Sequence, residues 1–406
     1  MLLHKIIRND LELLSPAGDM ERLEMALCYG ADAVYLAGKE FGMRASAGNF
    51  DDESMRKAVS LAHSMGRRVY VTCNTLPRED ELARLPAYME FLQDAGVDAV
   101  IAADLGVMAM AKKYAPDVKL HASTQLGVVN SATANMLYAM GADTVVLARE
   151  LPLEEIRKLR QNTPSELRIE AFVHGAMCVS FSGRCLLSNY MTGRDANRGQ
   201  CAQPCRWKYH LVEEKRPGEY FEITEDNGTF ILNSRDMRMI EYLQELVDAG
   251  VSSFKIEGRM KSSYYTAVVT NAYRHAIDAV AERNPVPEIW ISETEKVSHR
   301  PYCTGFYYGD PGQHYSESSY TTETDVVAIV ERCDEEGNAV LYQRNKFYFG
   351  DELELLTPDS EPVKFTPEHM YNADGEEISD TRHAMMEIHM RLPHYAPRLS
   401  IVRKYR

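Results

Sequence analysis

Short apolar runs rich in β-branched residues recur along the N-terminal part of the chain, and each follows a glycine that ends an amphipathic stretch. These units are Tyr29 to Leu36, Met65 to Val71, Ala95 to Ile101, Met140 to Leu147 and Ala249 to Ile256. Glycine suits the left-handed position just past a helix C-terminus. A short apolar run after it is typical of a strand buried on both faces. The pattern therefore predicts repeated units of helix, glycine turn and strand.

Three further apolar runs bring the number of predicted strands to about eight. They are Leu11 to Leu14, Lys119 to Ala122 and Leu167 to Val173, and amphipathic stretches such as Asp52 to Met65 separate most of the runs. Consecutive βα units with parallel strands favour an α/β fold, a (β/α)8 TIM-like barrel, over an open doubly wound sheet. In such a barrel the functional groups gather at the C-terminal ends of the strands.

The pattern changes near Arg283, where Asn284 to Pro287 ends the last helix. Residues 283–322 are rich in Tyr, Ser and Gly and are interpreted as an irregular connector. The alternating runs after it predict a small antiparallel β domain, a barrel: Val326 to Arg332, Ala339 to Gln343, Phe347 to Leu356 and Ala384 to Leu392. The predicted domains are thus residues 1–282 for the (β/α)8 barrel, 283–322 for the connector and 323–406 for the C-terminal β domain.

Basic residues are concentrated in the last nine positions of the chain. Arg398 to Arg406 holds four basic residues and no acidic one. Such a segment either contacts phosphate or remains an exposed terminal tail.

Composition narrows the class of protein. Hydrophobic residues make up 45% and charged residues 26% of the 406 positions, as in an ordinary soluble globular protein. Apolar runs are too short for a membrane span, and Asp10 and Glu12 interrupt any signal-peptide core, so we expect a cytoplasmic protein. The net charge of −15 opposes non-specific binding to nucleic acid. An RNA partner would have to meet a local basic patch.

Polar side chains follow the predicted strands, where a barrel keeps its functional groups. They include Ser15, Asn74, Asp104, Ser123 to Gln125, Arg149, Glu150 and His174. The run Lys255 to Lys261 is the most informative, because its alternation directs Lys255, Glu257 and Arg259 to one side of a strand. That side would be the barrel lumen, where three charges are costly unless they pair or hold an anionic ligand.

Four of the eight cysteines fall close together, at Cys178, Cys185, Cys201 and Cys205, with spacing C-x₆-C-x₁₅-C-x₃-C. Structural zinc sites favour C-x₂-C pairs, and neither pair here is one. Four thiolates are the full complement of a cubane iron–sulfur cluster. From the residues alone, a cluster, a zinc site and redox or structural thiols all stay open. The four remaining cysteines, Cys28, Cys73, Cys303 and Cys333, are scattered and are interpreted as small buried hydrophobes.

Longer motifs around the cysteines resemble a known family. Residues 170–188 match the signature of the U-32 (collagenase-like) peptidase family at its fixed positions, and Glu12 to Gly18, Asn233 to Asp236 and Lys255 to Ser262 are similar to other family motifs. The resemblance covers about residues 9–282 and extends to the family's small C-terminal β domain. Arg198 to Trp207 and the overall length look most like the branch of that family that hydroxylates tRNA.

The resemblance implies a cofactor, a co-substrate and a reaction. A 4Fe-4S cluster would be held by Cys178, Cys185, Cys201 and Cys205. The reaction would be an oxygen-independent, prephenate-dependent hydroxylation of the wobble uridine of tRNA to 5-hydroxyuridine.

Roles for the charged residues follow from this implied chemistry. For a dicarboxylate such as prephenate, Arg149, Lys255 and Arg259 are the expected clamp, because arginine matches carboxylate geometry. Glu170, His174 and Glu257 are candidates for proton transfer.

The cysteine segment also carries a local basic and aromatic patch. From Arg184 to Lys208 five basic residues stand against one acidic residue, with Tyr190, Trp207 and Tyr209 interleaved. Basic side chains on phosphate and aromatic faces for an unstacked base are what single-stranded RNA recognition uses. We therefore expect Arg194, Arg198, Arg206 and Trp207 to contact a tRNA anticodon loop, unless the segment is only a solvated loop over the cysteines.

Two other classes of function remain. A peptidase needs an activated nucleophile or a metal-bound water, and the chain has neither H-E-x-x-H nor G-x-S-x-G. A Cys178–His174 pair is conceivable, although a thiolate bound to iron is not available for attack. The third class is a non-catalytic subunit that supplies RNA binding or electron transfer to a paralogous partner. Assembly of the chain as a homo-oligomer is also left open.

Overall fold

The computed structural model describes residues 11–43, 48–178, 180–181, 185–196, 199–207, 210–211, 221–222, 235–309, 311, 322–358 and 360–406. Its helices are α1 (Met20–Cys28), α2 (Asp52–Ser64), α3 (Glu79–Leu82), α4 (Leu85–Asp94), α5 (Leu105–Tyr114), α6 (Ser131–Ala139), α7 (Leu153–Gln161), α8 (Leu187–Thr192), α9 (Leu243–Asp248), α10 (Ser263–Ala281) and α11 (Glu288–Glu293). Its strands are β1 (Glu12–Pro16), β2 (Ala33–Leu36), β3 (Arg68–Cys73), β4 (Ala99–Ala102), β5 (Lys119–Ala122), β6 (Thr144–Val146), β7 (Arg168–Ala176), β8 (His210–Leu211), β9 (Phe221–Glu222), β10 (Asp236–Arg238), β11 (Ser253–Ile256), β12 (Tyr302–Cys303), β13 (Thr324–Cys333), β14 (Asn338–Gln343), β15 (Leu353–Leu356), β16 (Val363–Phe365), β17 (Met370–Asn372), β18 (Glu387–Arg391) and β19 (Ile401–Tyr405).

Eight parallel strands close into a barrel, which confirms the predicted (β/α)8 fold. Strands β1 to β7 pair in chain order, and β11 joins both β1 and β7. Ser253 lies opposite Glu12 on one side and opposite Glu170 on the other. The barrel strands are almost wholly buried, because the helices cover their outer face and side chains fill the lumen.

The repeated glycines do what the pattern predicts. Gly30, Gly141 and Gly250 have φ values of +98°, +95° and +93°, and each ends a helix just before a strand of the barrel. A residue with a Cβ would be strained in this left-handed region.

The aspartates two residues after Gly30, Gly96 and Gly141 fix the register of the strands. Each carboxylate accepts the backbone N–H near the start of the preceding strand, at 2.8 to 3.0 Å: Asp32 from Leu13, Asp98 from Val69, and Asp143 from Leu120. A one-residue slip between strands would exchange their inward and outward faces. The repeated Gly-x-Asp therefore fixes which side chains reach the lumen.

The segment that carries the cysteines leaves the barrel at the end of β7 and returns at β10. Strand β10 pairs antiparallel with the end of β7, with Asp236 opposite Ala176, so the two ends of this segment are joined at its base. Strand β12 then pairs with β10. The predicted connector of residues 283–322 therefore contains a helix, α11, and a strand that extends the barrel sheet. Both elements are too short to give a periodic signal.

The C-terminal strands form one antiparallel sheet in the order β16-β15-β19-β13-β14-β18-β17. Among the described residues its two edge strands do not pair, so the predicted small antiparallel β domain is confirmed as a curled sheet, a half-barrel. Within the predicted run Phe347 to Leu356, only Leu353–Leu356 forms a strand.

The basic C-terminal segment is not an exposed tail, because β19 lies inside the sheet and Arg398, Lys404 and Arg406 pair with acidic side chains. Arg403 is 0% exposed, and its guanidinium donates to Glu293 of α11 and to Glu354 of β15, each at 2.7 Å. A buried guanidinium is tolerated only with such paired carboxylates. Because α11 belongs to the connector, this pair also joins the half-barrel to the rest of the chain.

Within the described residues, no helix combines the length and the apolarity that a membrane span requires.

Candidate active site at the mouth of the barrel

A cavity of about 550 Å³ opens at the C-terminal ends of the barrel strands. Its floor is formed by side chains that point into the lumen, among them Tyr35, Thr72, Ile101 and Phe172. Its walls hold charged groups, amides and thiols from the loops that follow the strands. The position is the one at which TIM-barrel enzymes keep their active sites.

Lys255, Glu257 and Arg259 all line this cavity, Lys255 from the end of β11 and the other two from the loop after it, beyond the strand in which their alternation had placed them. Lys255 Nζ lies 2.7 Å from Glu170 Oε1, and the two side chains are only 6% and 0% exposed. The ammonium also lies over the ring of Tyr35, 4.6 Å from its centroid. Carboxylate and ring together stabilise a charged lysine at the cavity floor.

The two arginines of the predicted clamp are held in place by several contacts each. Arg149 reaches Glu257 at 3.3 Å, donates to the carbonyl of Ala176 at 2.8 Å and lies 3.8 Å from the ring centroid of Phe172. Arg259 is 4% exposed and donates to Thr72 Oγ1 at 2.9 Å. Fixed guanidinium groups at a cavity wall suit a carboxylate ligand.

Below the cavity, a second polar layer crosses the lumen. Glu12 accepts hydrogen bonds from Tyr70 at 2.7 Å and from Ser253 at 2.9 Å, and it pairs with Arg68 at 2.6 Å and with Arg168 at 3.2 Å. Burial raises the pKa of Glu12, but Arg168 and Arg68 outweigh burial and hold the pKa below its ordinary value. Glu12 is therefore a buried carboxylate that stays ionised.

The hydroxyl group of Ser253 connects the layer of Glu12 with Glu170 at the cavity floor. Ser253 Oγ lies 2.9 Å from Glu12 and 3.2 Å from Glu170, and its single proton can serve only one of the two carboxylates. His121 packs against the ring of Tyr70 in the same layer, where burial lowers its pKa to about 3. The imidazole is neutral there.

His174 does not line the cavity. Its ring lies among Tyr265, Tyr273 and Tyr302, on α10 and β12, and it is 1% exposed. Burial lowers its pKa well below the ordinary value. The cause of this placement is an irregularity in pairing: Lys255 lies opposite Phe172, but Ile256 lies opposite His174, so β7 has one extra residue and the alternation changes face. A role for His174 in the cavity is not supported by this position.

Gly175 explains one fixed glycine of the motif around the cysteines. It has φ +107°, and a Cβ there would collide with the backbone of Glu257. The end of β7 can therefore lie directly against Glu257, in the charged run that follows β11. This close approach brings the cysteine segment to the cavity.

All four clustered cysteines line the cavity. Cys185 is buried, Cys201 and Cys205 are half-buried and Cys178 is exposed. The sulfurs of Cys178 and Cys201 each accept a backbone N–H from two residues ahead, from Ser180 and Gln203, at 3.4 Å. N–H groups directed at sulfur are the kind of contact that tunes thiolate ligands. Within the described part of the chain, however, no three Cys, His, Asp or Glu side chains are grouped closely enough to hold a metal ion.

The rim beside the cysteines is unusually apolar and exposed. Five large side chains there are 42 to 86% exposed: Phe181, Leu186, Tyr190, Met191 and Trp207. Such a patch marks an interaction surface. Arg194 lies exposed on the same segment. Arg198, Arg184, Lys208 and Tyr209 lie outside the described residues, and for Arg206 the structure describes the backbone alone.

The wall opposite the charged run contains side chains to which sequence reasoning assigned no role. Asn74, Ser123 and Gln125 line the cavity and are joined by hydrogen bonds: Asn74 donates to Gln125 Oε1 at 2.7 Å, and Ser123 donates to the same oxygen at 3.1 Å. Their position just after β3 and β5 was the available signal. Amides carry no charge or motif, and their convergence appears only once the barrel is closed.

Comparison with known families gives two matches. The family described as Peptidase family U32 matches residues 18–317, and the Peptidase family U32 C-terminal domain matches residues 322–403. Together these matches cover the barrel after β1, most of the connector and nearly all of the half-barrel.

Curated relatives are similar over most of the chain. The tRNA hydroxylation protein P1 of Bacillus subtilis (strain 168) is 38% identical over 395 residues, which cover 96% of this chain and 93% of that protein. The tRNA hydroxylation protein P of Escherichia coli (strain K12) is 36% identical over 410 residues, 90% of each chain. A 23S rRNA 5-hydroxycytidine synthase of Escherichia coli (strain K12) is 38% identical over 299 residues, 71% of this chain and 44% of that protein.

Proposed function

This chain belongs to peptidase family U32, and from that membership we propose that it is a tRNA-modifying enzyme that hydroxylates the wobble uridine to 5-hydroxyuridine. The observation that carries the proposal is the convergence of the cysteines and the charged run Lys255 to Lys261 on one cavity, with exposed apolar side chains on the segment that bears the cysteines. Relatives named for hydroxylation of tRNA, which match nearly end to end, support the choice of RNA as substrate.

The exposed rim supports an RNA loop as the partner. Aromatic faces such as Tyr190 and Trp207 offer stacking for unpaired bases, and stacking is the main source of affinity in binding single-stranded RNA. An anticodon base is already unpaired, so placing it in the cavity costs less than opening a duplex. The net charge of −15 limits long-range attraction, which favours a partner that is recognised by contact at this one patch.

A 4Fe-4S cluster on Cys178, Cys185, Cys201 and Cys205 is the cofactor that we propose. The number and type of donors fit, and the N–H groups directed at two sulfurs suit thiolate ligands. No three of the described donor side chains are grouped at metal-binding distance. Binding of the cluster would therefore require the loops that carry the cysteines to move closer together. When bound, the cluster would supply one-electron chemistry beside the cavity.

The co-substrate is proposed to be prephenate, in place of dioxygen. Replacing C5–H of uracil by C5–OH removes two electrons from the base and adds one oxygen atom, so the co-substrate must accept two electrons, and either it or water must supply the oxygen atom. Arg149, Arg259 and Lys255 offer two guanidinium groups and an ammonium for a dicarboxylate. Glu257 lines the same cavity and its side chain is 20% exposed, whereas that of Glu170 is 0% exposed beneath Lys255, so Glu257 is the better placed to exchange a proton with a ligand.

Proteolysis is the second candidate, because the family takes its name from peptidases. A thiol protease built on Cys178 needs a nearby base, and the walls described for the cavity include no histidine. His174, the predicted partner, lies between β7 and α10 instead. Protease activity that depends on Cys178, with tRNA nucleosides unchanged, would support this candidate against ours.

The test is mass spectrometry of tRNA nucleosides from cells that lack the gene and carry plasmid-borne variants. We expect 5-hydroxyuridine derivatives with the unmodified protein and with Cys333→Ser, and none with Cys178→Ser. Arg259→Ala should abolish the modification while iron and sulfide content stay intact, with Arg382→Ala, at an exposed position, as its control. If 5-hydroxyuridine persists without the gene in a strain that holds no second member of the family, the proposal is wrong. Activity that returns only with a co-expressed paralogue would favour a partner-subunit role.

A further inference from the structure

The amide wall of the cavity has an orientation that the backbone dictates. The N–H of Met43 donates to Asn74 Oδ1 at 3.1 Å, so the Asn74 amide nitrogen must face the other way. There it donates to Gln125 Oε1, which also accepts from Ser123. Both lone pairs of that oxygen are therefore occupied.

The consequence is a directed donor on Gln125. Its amide nitrogen faces the sulfur of Met43 at 2.6 Å, and a thioether is a weak acceptor. Gln125 is only 7% exposed, and both residues line the cavity. A ligand in the cavity that presents a carbonyl oxygen can therefore replace the sulfur as the stronger acceptor.

An aromatic ring lies near the glycine that ends the turn carrying Gln125. Gly127 follows the short 3₁₀ turn of Thr124–Leu126 that holds Gln125, and a Cβ at Gly127 would meet the ring of Phe181 at 3.5 Å. Phe181 is 54% exposed. A flat base can therefore stack at the rim while its edge points to the amide wall.

We propose that Gln125, oriented by Asn74, selects uracil by donating to its O4 carbonyl. Cytosine presents an N4 amino group at the same position, so two donors would face each other. C5 is bonded to C4, and the contact that identifies the base therefore also holds C5 at a fixed place in the cavity. This inference rests on the proposed function and names the group that determines its specificity.

The main variant is Gln125→Glu, which keeps the oxygen that accepts from Asn74 and Ser123 and replaces the amide nitrogen by an oxygen. A carboxylate accepts from cytosine N4 and repels uracil O4. We would measure binding of the anaerobically prepared full-length protein to two synthetic anticodon stem-loops, with uridine or cytidine at the wobble position. The preference for uridine should fall about 10- to 100-fold. Gln161→Glu, the same change at an exposed position on α7, should leave the preference as it is.

A second variant should change the preference between uridine and cytidine without altering Gln125. In Asn74→Asp the carboxylate still accepts from Met43 but can no longer donate, so the Gln125 amide turns over and presents its oxygen to the cavity. The preference should shift toward cytidine here too, which loss of packing alone would not produce.

The outcomes are separable. If the unmodified protein forms no 5-hydroxyuridine in cells, the proposed function fails. If it does form 5-hydroxyuridine and both variants keep the original preference, the inference about Gln125 is overturned. A general loss of binding to both stem-loops also overturns it, because Gln125 would then hold the wall and not read the base.

Discussion

The buried pair of Lys255 and Glu170 allows a quantitative test of how the cavity floor is held. In Lys255→Met, Glu170 stays at 0% exposure and loses its partner at 2.7 Å, and Ser253 is left with one proton for two carboxylates. Breaking a buried pair from one side costs about 3–5 kcal/mol. The lost contact of the ammonium with the ring of Tyr35 adds about 1 kcal/mol.

The double variant Glu170→Gln with Lys255→Met removes both charges at once. Replacing a whole buried pair by neutral groups is often close to neutral in stability. We expect the double variant to unfold within about 1 kcal/mol of the unmodified protein, so that, with Glu170→Gln measured as the second single variant, the coupling between the two sites is at least about 3 kcal/mol. tRNA modification should nevertheless stay absent, because the ammonium is missing from the cavity.

The assay is urea unfolding followed by far-UV circular dichroism at the helical band. All of the described helices lie in residues 20–293, so this signal reports on the barrel part of the chain and not on the C-terminal sheet. Lys158→Met is the control, since Lys158 pairs with Glu155 on the surface of α7 and is 56% exposed. A loss below about 1 kcal/mol in Lys255→Met would refute the reasoning, as would a double variant no more stable than the single one. If the double variant regained tRNA modification, Lys255 would be structural only.

Three further outcomes follow from features described above. The pKa of Glu12 is lowered in the folded protein from its ordinary value of 4.5. Its contribution to the free energy of unfolding is therefore present above pH 4.5 and is lost as the pH falls through the pKa of the folded state. The urea midpoint of Glu12→Gln should depend less on pH in the acid range than that of the unmodified protein. Arg403→Met should cost about 3 kcal/mol, the low end for a broken buried pair, because Lys296 still pairs with both Glu293 and Glu354. Limited proteolysis should release the C-terminal sheet early; equal resistance would contradict this. Tyr190→Ala should weaken stem-loop binding by about 1–3 kcal/mol with the circular dichroism spectrum unchanged, and an unchanged dissociation constant would remove Tyr190 from the interface.

The barrel could be predicted because its signals are local and repeated. A glycine after each helix and a short apolar run after each glycine are properties of neighbouring residues, and they hold at Gly30, Gly141 and Gly250. The alternation of Lys255, Glu257 and Arg259 is equally local, and all three line the cavity.

The features that the sequence did not predict depend on long-range contacts. The face taken by His174 depends on one extra residue in the pairing of β7 with β11, which is invisible in β7 alone. Arg403 looked like part of a basic tail because its carboxylate partners are 49 and 110 residues away in the chain. Asn74 and Gln125 are 51 residues apart, and their side chains form the amide wall only once the barrel is closed.

The pairing of β7 with β10 also has a consequence for the order of assembly. Because Ala176 lies opposite Asp236, the long segment between them is already closed at its base by the barrel's own sheet. Most of the entropy of bringing its ends together is lost when the barrel folds, and not when the thiols acquire a ligand. The barrel can therefore close through β11 while the cysteines are still empty. For the proposed cluster, iron and sulfide would then be delivered to an already folded barrel, late in maturation.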